Sequence, residues 1–288
     1  MSRTLVSSTQ LRRGRVLYWG LLTLVVVVFT LVFLGPLYWM VTGALKSGQE
    51  IAQTPPTLFP KDPQFGNYAD AWNQLDLAKL LFNTVYYAAG AVLFQLVLDT
   101  SAAYALSKLR PAFGNAILGA MLATLLIPAM VLIVPQYQTV IDLPVLNLSL
   151  IDSPFAIWLP MVANAFNIFL LKRFFDSIPD EIMAAAFVDG ASPLRTLWSI
   201  ILPMSRPILG VVSIFAVTAV WKDFLWPLLV MPHPETRTIS VGIYAFAAGT
   251  PQNVVVAASV IAALPTVIIF LIFQRNIMSG LTTGSLKG

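Results

Sequence analysis

From Val16 to Val41 the chain carries no charged side chain, an uninterrupted apolar run longer than the ~20 residues that take an α-helix across a bilayer. Five further stretches follow. Leu80 to Ser107 is interrupted only by Asp99, and Pro111 to Ile141 is uncharged but holds Pro128 and Pro135. Ser153 to Leu171 is uncharged, Pro207 to Met231 contains Lys222 and Asp223, and Thr238 to Gln274 is uncharged again, its later half being the part expected to cross. Inside lipid every backbone N–H and C=O must be satisfied within the chain, so runs of this length fold as helices. The expected fold class is all-α: an integral membrane helical bundle of about six transmembrane helices, the third kinked at its prolines.

Composition narrows the chemistry. Hydrophobic residues make up 58% of the chain and charged residues 10%, against roughly 25% charged in an ordinary soluble protein. The absence of cysteine removes disulfides and thiolate metal sites, and the single histidine, His233, argues against a histidine metal cluster. The net charge of +4 is accounted for by basic residues at membrane edges, so no nucleic-acid partner is expected. A basic start followed by an apolar run also describes a secretory signal. This run exceeds the usual h-region of ~7–15 residues and no small-residue cleavage site follows it, which favours a retained anchor.

Counting basic residues along this layout orients the chain. Arg3, Arg12, Arg13, Arg15, Lys108, Arg110, Lys172, Arg173, Arg195, Arg206, Arg275 and Lys287 fall on one side, and Lys46, Lys61, Lys79 and Arg237 on the other. The positive-inside rule then puts both termini in the cytoplasm. The expected organisation is a cytoplasmic arm at 1–15, a membrane domain at 16–275 and a cytoplasmic tail at 276–288. The proline-punctuated segment from Lys46 to Lys79 becomes an external loop.

The polar stretch at 179–203 reads as two helices on the cytoplasmic side. Pro179 suits a first helical position, and Asp180 and Glu181 favour the positive end of the helix dipole. Gly190 can take the left-handed conformation that ends helices. Ser192 and Pro193 then form a cap and first-position pair, opening a helix with Leu194, Leu197, Trp198 and Ile201 on one apolar face. Pro203 closes that helix or kinks it into the next span. Such a pair is either a docking element for a soluble partner, an ordinary surface connection, or an amphipathic helix lying in the lipid interface.

Catalytic patterns are missing. No phosphate-binding loop of the G-x-x-x-x-G-K-[ST] type occurs, so the chain is not itself an ATPase. No nucleophile, histidine and acid constellation occurs either, and His233 between two prolines is most simply a turn residue. Candidate walls of a translocation path are Asn83, Asn164, Asn167, Trp221 and Trp226, because sugars combine hydroxyl groups with apolar ring faces. Interfacial anchoring and helix packing are the plainer roles for the same residues. Ionisable groups at membrane depth are costly and commonly face a protein interior or an aqueous path. Lys222 and Asp223, neighbours expected to point about 100° apart on one helix, join the candidates. The alternative for Lys222 is snorkelling to the interface. Asp99 belongs either to the path or to packing against a second subunit.

The 179–203 segment also resembles a known signature. Ala184, Ala185 and Ala186, then Gly190, Ile200, Leu202 and Pro203, are similar to the EAA motif of ABC-importer permease subunits. Other segments resembling the carbohydrate-uptake branch, in the order of its maltose-type second permease, are LKSGQEI (Leu45–Ile51), PPTLFP (Pro55–Pro60), FGNY (Phe65–Tyr68), AAYALSKLR (Ala102–Arg110), FLWPLLV (Phe224–Val230) and LTTGSLKG (Leu281–Gly288). The resemblance implies a non-catalytic, multi-pass permease of a bacterial cell membrane that imports a sugar or sugar-like solute. It implies a second, homologous permease, cytoplasmic ATP-binding subunits, an extracellular solute-binding protein and surrounding lipid as partners. No cofactor belongs to this chain, since ATP and Mg are held by the ATPase. Ala184 departs from the family, which usually has Glu there. The expected coupling contact shifts to Asp189, Gly190, Ala191, Ser192 and the second helix, with Glu181 one turn earlier as a partial substitute or a simple dipole partner. A self-contained secondary transporter or channel would be expected to show an internal repeat, paired broken spans and several intramembrane acids. No clear repeat is visible, and Asp99 is the one acid deep in an expected span. A membrane anchor without a transport role is the third class.

Overall fold

A computed structural model describes the backbone of residues 8–283 and the side chains of residues 18–274. Arg3, the side chains of Arg12, Arg13, Arg15 and Arg275, and the closing residues after Thr283, Lys287 among them, lie outside that part. Helices α1 (Ser8–Ala44), α2 (Gly48–Ile51) and α3 (Gly66–Gln74) are followed by α4 (Leu77–Tyr104), which continues through a π-helical turn at Ala105–Leu109. Next come α5 (Gly114–Thr124), α6 (Ala129–Ile141), α7 (Phe155–Met161), α8 (Ala165–Asp176) and α9 (Asp180–Val188). A second continuous piece joins α10 (Pro193–Thr196), a π-helical turn at Leu197–Ile201 and α11 (Leu202–Met204). The chain then forms α12 (Arg206–Lys222), α13 (Leu225–Val230), α14 (Ile239–Ala247) and α15 (Gln252–Thr283). No strand forms among the described residues.

Three segments are long and apolar enough to cross a membrane as single helices: Tyr18–Ala44, Leu77–Leu109 and Gln252–Gln274. Three bent pairs raise the number to as many as six. The pair α5 and α6 turns by 102°, α7 and α8 by 51°, and the α10–α11 piece turns into α12 by 85°. The proline-bearing third run is thus bent as expected, at the Thr124–Ala129 break next to Pro128. The fifth run differs from expectation. Helix α12 stops at Lys222, Asp223 is extended (φ −71°, ψ 127°) and α13 begins at Leu225. Lys222 and Asp223 therefore do not share a helix. The physical reason is local, because the Asp223 carboxylate accepts the Trp226 backbone N–H at 3.3 Å, as a capping group does.

The chain divides into two compact units. The first contains residues up to Ala71 together with Gly249–Val260. Here the 46–79 segment is tightly folded along its first half. Lys46, only 2% exposed, donates to the Thr57 carbonyl and lies 4.5 Å from the Trp39 ring centre. The Glu50 carboxylate accepts the Thr57 hydroxyl (2.7 Å) and the Lys61 N–H (3.1 Å), and its pKa is lowered chiefly by the Thr57 hydrogen bond. Asn67 donates to the carbonyls of Ala44 (2.8 Å) and Lys46 (2.9 Å) and accepts from Asn253 at 2.8 Å. Lys46, Thr57 and Asn67, from three successive motifs, thus close one polar lock.

The second unit contains Trp72–Ala248 and the residues from Ile261 onward. Helix α4 is its axis, packed against α7, α8, α12 and α14. One apolar cluster gathers around Tyr87, Ala88 and Ala91 of α4 with Trp158 and Trp226. A second gathers around Ala103 and Tyr104 with Leu171, Phe175, Leu197 and Ile201. Between the two, α4 presents a buried polar band of Gln95, Asp99 and Thr100.

Candidate functional site

The 179–203 pair forms largely as the residues dictate. Pro179 is the cap (φ −56°, ψ 138°) and α9 starts one residue later, at Asp180. Gly190 is left-handed, with φ +74°. The Ser192 hydroxyl accepts the Arg195 N–H at 3.3 Å, and Pro193 opens α10. The expected single apolar face divides, however. Leu197 and Ile201 are buried in the second apolar cluster, while Leu194 and Trp198 stay exposed. Of the two roles expected of Pro203 the kink is the one seen, since the helix runs on to Met204 and then turns by 85° into α12. Ala184, Ala185, Asp189, Ser192 and Pro203 are exposed, Ala186 is buried and Ala191 is half-buried. Phe187 and Val188, 81% and 84% exposed, precede the glycine turn and Leu194 and Trp198 follow it, an exposed apolar collar flanking the turn in sequence.

Glu181 is exposed and forms no ion pair among the described residues. Its neighbour Asp180 does. The Asp180 carboxylate accepts from Lys108 Nζ at 2.9 Å and from the Arg110 guanidinium at 2.8 Å, and these two bonds, Lys108 first, hold its pKa below the ordinary value. Lys108, whose side chain is 1% exposed, also donates to the Ile178 carbonyl at 2.6 Å. Ser107 donates to Asp176 at 2.7 Å, and Lys172 pairs with the other Asp176 oxygen at 2.8 Å. The π-helical end of α4 is therefore clipped to the start of α9. Sequence reasoning read Lys108 and Arg110 only as edge markers, because nothing in linear order brings them to Asp180.

Two of the path candidates meet at the polar band. Helix α7 ends at Met161 and α8 restarts at Ala165, capped by the Asn164 side chain, which accepts the Asn167 N–H at 3.1 Å. Asp99 Oδ1 accepts the Asn164 N–H at 3.0 Å, and Asn167 Nδ2 donates to Gln95 Oε1 at 3.1 Å. Gln95, Asn164 and Asn167 line one side of a cavity of about 320 Å³, with Phe166 and Phe215 on its apolar wall. A second cavity, of about 260 Å³, collects Asp223 and Trp226 with Gln136. Trp226 is nonetheless fixed in the apolar cluster through its Nε1–H to the Ala156 carbonyl, at 2.9 Å.

The remaining candidates lie elsewhere. Asn83 donates to the Glu235 (2.8 Å) and Arg237 (3.0 Å) carbonyls, in a loop also held by the Lys79–Glu235 ion pair. Asp152 accepts from the His233 N–H (3.0 Å) and the Thr236 hydroxyl (2.6 Å) in the same loop, which agrees with His233 as a turn residue. Trp221 is buried and donates to the Ala262 carbonyl at 3.1 Å, and Lys222 is exposed. Gln95 and Gln136 were missed by sequence reasoning. The signal was there: an uncharged amide inside an apolar run has to find partners. No group of three or more possible ligand side chains forms a metal site among the described residues.

A cavity with amide groups at the break of a membrane helix pair, and a clipped helix pair beyond it, suit a transport component. Residues 102–282 match the family described as the inner-membrane component of binding-protein-dependent transport systems. The chain belongs to this family. The match takes in the clip, the helix pair and the linings of the two cavities described above apart from Gln95, but not α1–α3 or α4 up to Ser101 of this permease component. The chain is 32% identical over 257 residues to the sulfoquinovosyl glycerol transport system permease protein SmoH of Agrobacterium fabrum, covering 88% of both chains. It is 27% identical over 282 residues to the melibiose/raffinose/stachyose import permease protein MelC of Bacillus subtilis, covering 96% of this chain and all of the relative. A bacterial ABC transporter involved in the import of the acidic polysaccharide alginate contains a chain of the same fold, with a TM-score of 0.79 and 24% identity over 94% of this permease component and 99% of that chain. The resemblance to permease subunits of carbohydrate ABC importers is borne out, and so is the all-α membrane class.

Proposed function

We propose that this chain is one of two permease subunits of an ATP-driven bacterial importer for a sugar or sugar-like solute. A cytoplasmic ATPase, holding ATP and Mg, docks on the α9–α10 turn, and a solute-binding protein delivers substrate from outside. Both termini and the turn face the cytoplasm. The turn carries the coupling, and Asn164, Asn167, Asp223 and Trp226 belong to the path wall in this subunit. The observation that supports this reading most is the apolar collar of Phe187, Val188, Leu194 and Trp198 around Gly190. Exposed apolar groups flanking a fixed turn mark a protein or membrane contact, and here we assign it to the ATPase. The Asp180 clip ties that collar to α4, so motion at the ATPase reaches the membrane helices as a rigid-body shift.

Without the usual Glu at position 184, the contact rests on the turn geometry and the collar. A Cβ at Gly190 meets nothing within 4 Å, so a β-branched side chain there is opposed by backbone strain alone. Gly190→Val in the reconstituted four-subunit complex should lower solute uptake per ATP hydrolysed by about tenfold or more, while the subunits still co-purify. Wild-type coupling in that variant would sink the proposal.

A further inference from the structure

We propose that Gln95, Asn164 and Asn167 form a hydroxyl-recognising notch in this subunit and that Asp99 is the positioning residue behind it. The inference rests on the carbohydrate-permease reading and adds to it a ligand chemistry and two residues. Gln95 and Asn167 are each 2% exposed, yet both line the cavity at the α7–α8 break. Buried amides are costly unless they are hydrogen-bonded, and their mutual bond uses only Asn167 Nδ2 and Gln95 Oε1. Gln95 Nε2, Asn167 Oδ1 and Asn164 Nδ2 have no hydrogen-bond partner among the described residues. Two donors and one acceptor beside this cavity match groups that both donate and accept, and hydroxyls are such groups. Phe166 and Phe215 also line the cavity, with ring centroids 6.1 Å apart, a surface suited to the apolar face of a sugar ring.

Asp99 is fully buried and does not line the cavity. Its Oδ1 holds the Asn164 N–H, and its Oδ2 has no hydrogen-bond partner among the described residues. It therefore acts on the ligand through Asn164. No basic side chain lines the cavity, so the notch takes the hydroxyls of a solute and not a phosphate or sulfonate group.

The test uses the complete importer with its binding protein in proteoliposomes. Uptake is measured for labelled melibiose, raffinose, trehalose and sn-glycerol 3-phosphate, and for singly deoxygenated analogues of whichever solute is carried. Gln95→Leu and Asn167→Leu should reduce discrimination against at least one deoxy analogue by about tenfold or more, since a site built around a hydroxyl strongly rejects the analogue lacking it. Asp99→Leu should lose the same discrimination, and Asp99→Asn, which keeps an acceptor for the Asn164 N–H, should restore it. A purely structural role would lower the uptake of both solutes alike and leave their ratio unchanged. Unchanged discrimination in Gln95→Leu and Asn167→Leu overturns the notch while leaving the permease reading intact. If a leucine variant does not assemble, Gln95→Met and Asn167→Ala carry the same comparison. A wild-type complex whose transported solute carries no hydroxyl group removes the carbohydrate reading and this inference with it.

Discussion

Gly90 of α4 lies so close to Trp158 of α7 that a Cβ built on it would sit 2.1 Å from the indole ring. The indole cannot yield freely, because its Nε1–H donates to the Tyr87 carbonyl at 3.0 Å and its ring meets Phe94 and Phe155 at 5.4 Å. Small residues let membrane helices approach in this way. Gly90→Leu should therefore destabilise the second unit by about 1–3 kcal/mol, the usual range for overpacking, which thermal unfolding in detergent would register. A melting temperature equal to wild type would show that the α4–α7 contact relaxes without cost. Single side chains were the least legible scale in the sequence. Lys46 reads as a loop charge and proves to be buried, and Asn83 reads as a path residue although its amide is engaged with loop carbonyls. The partners of Asn83 are 152 and 154 residues away in the chain, and those of Lys46 lie across an irregular loop, so helical spacing carries no information about either.

Elements were more legible where their signals are local. Asp180, Gly190 and the Ser192–Pro193 pair marked the ends of α9 and α10 to within a residue, since caps and left-handed turns depend on the residues themselves. The breaks after Met161 and Lys222 were harder to see. Asn164 and Asp223 act there as caps, yet inside apolar runs they read as path groups or isolated charges. The clip between α4 and α9 makes an ordered prediction. Lys108 is buried and makes two bonds, whereas the Arg110 side chain is 65% exposed and surface pairs contribute little. Lys108→Met should thus weaken hydrogen-exchange protection at the start of α9 more than Arg110→Gln does, and the reverse order would contradict the geometry. Because the Asp180 pKa is lowered on folding, its contribution is present above the unfolded value of 3.8 and is lost as pH falls through the lower folded value. Protection from this source should then stay flat between about pH 5 and 8.

At the scale of the whole molecule, apolar run length sufficed for the fold class, but not for the number of unbroken crossings. Three bent pairs are a feature expected of secondary transporters, and the family match is what sets that class aside. The cysteine-free sequence offers a direct check of orientation. In intact cells a membrane-impermeant maleimide should label His233→Cys, and it should label Asp189→Cys only after the membrane is opened. The opposite pattern would invert the proposed topology. One helix bears on all of these results. Leu77–Leu109, ~50 Å long at 1.5 Å per residue, exceeds the ~30 Å hydrocarbon core. Asn83 fastens a loop near one end, Asp99 fastens the α7–α8 break in the middle and Lys108 fastens α9 at the other end. A rod pinned at three heights has no independent joints, so any tilt of α4 displaces loop, notch and helix pair in a single motion.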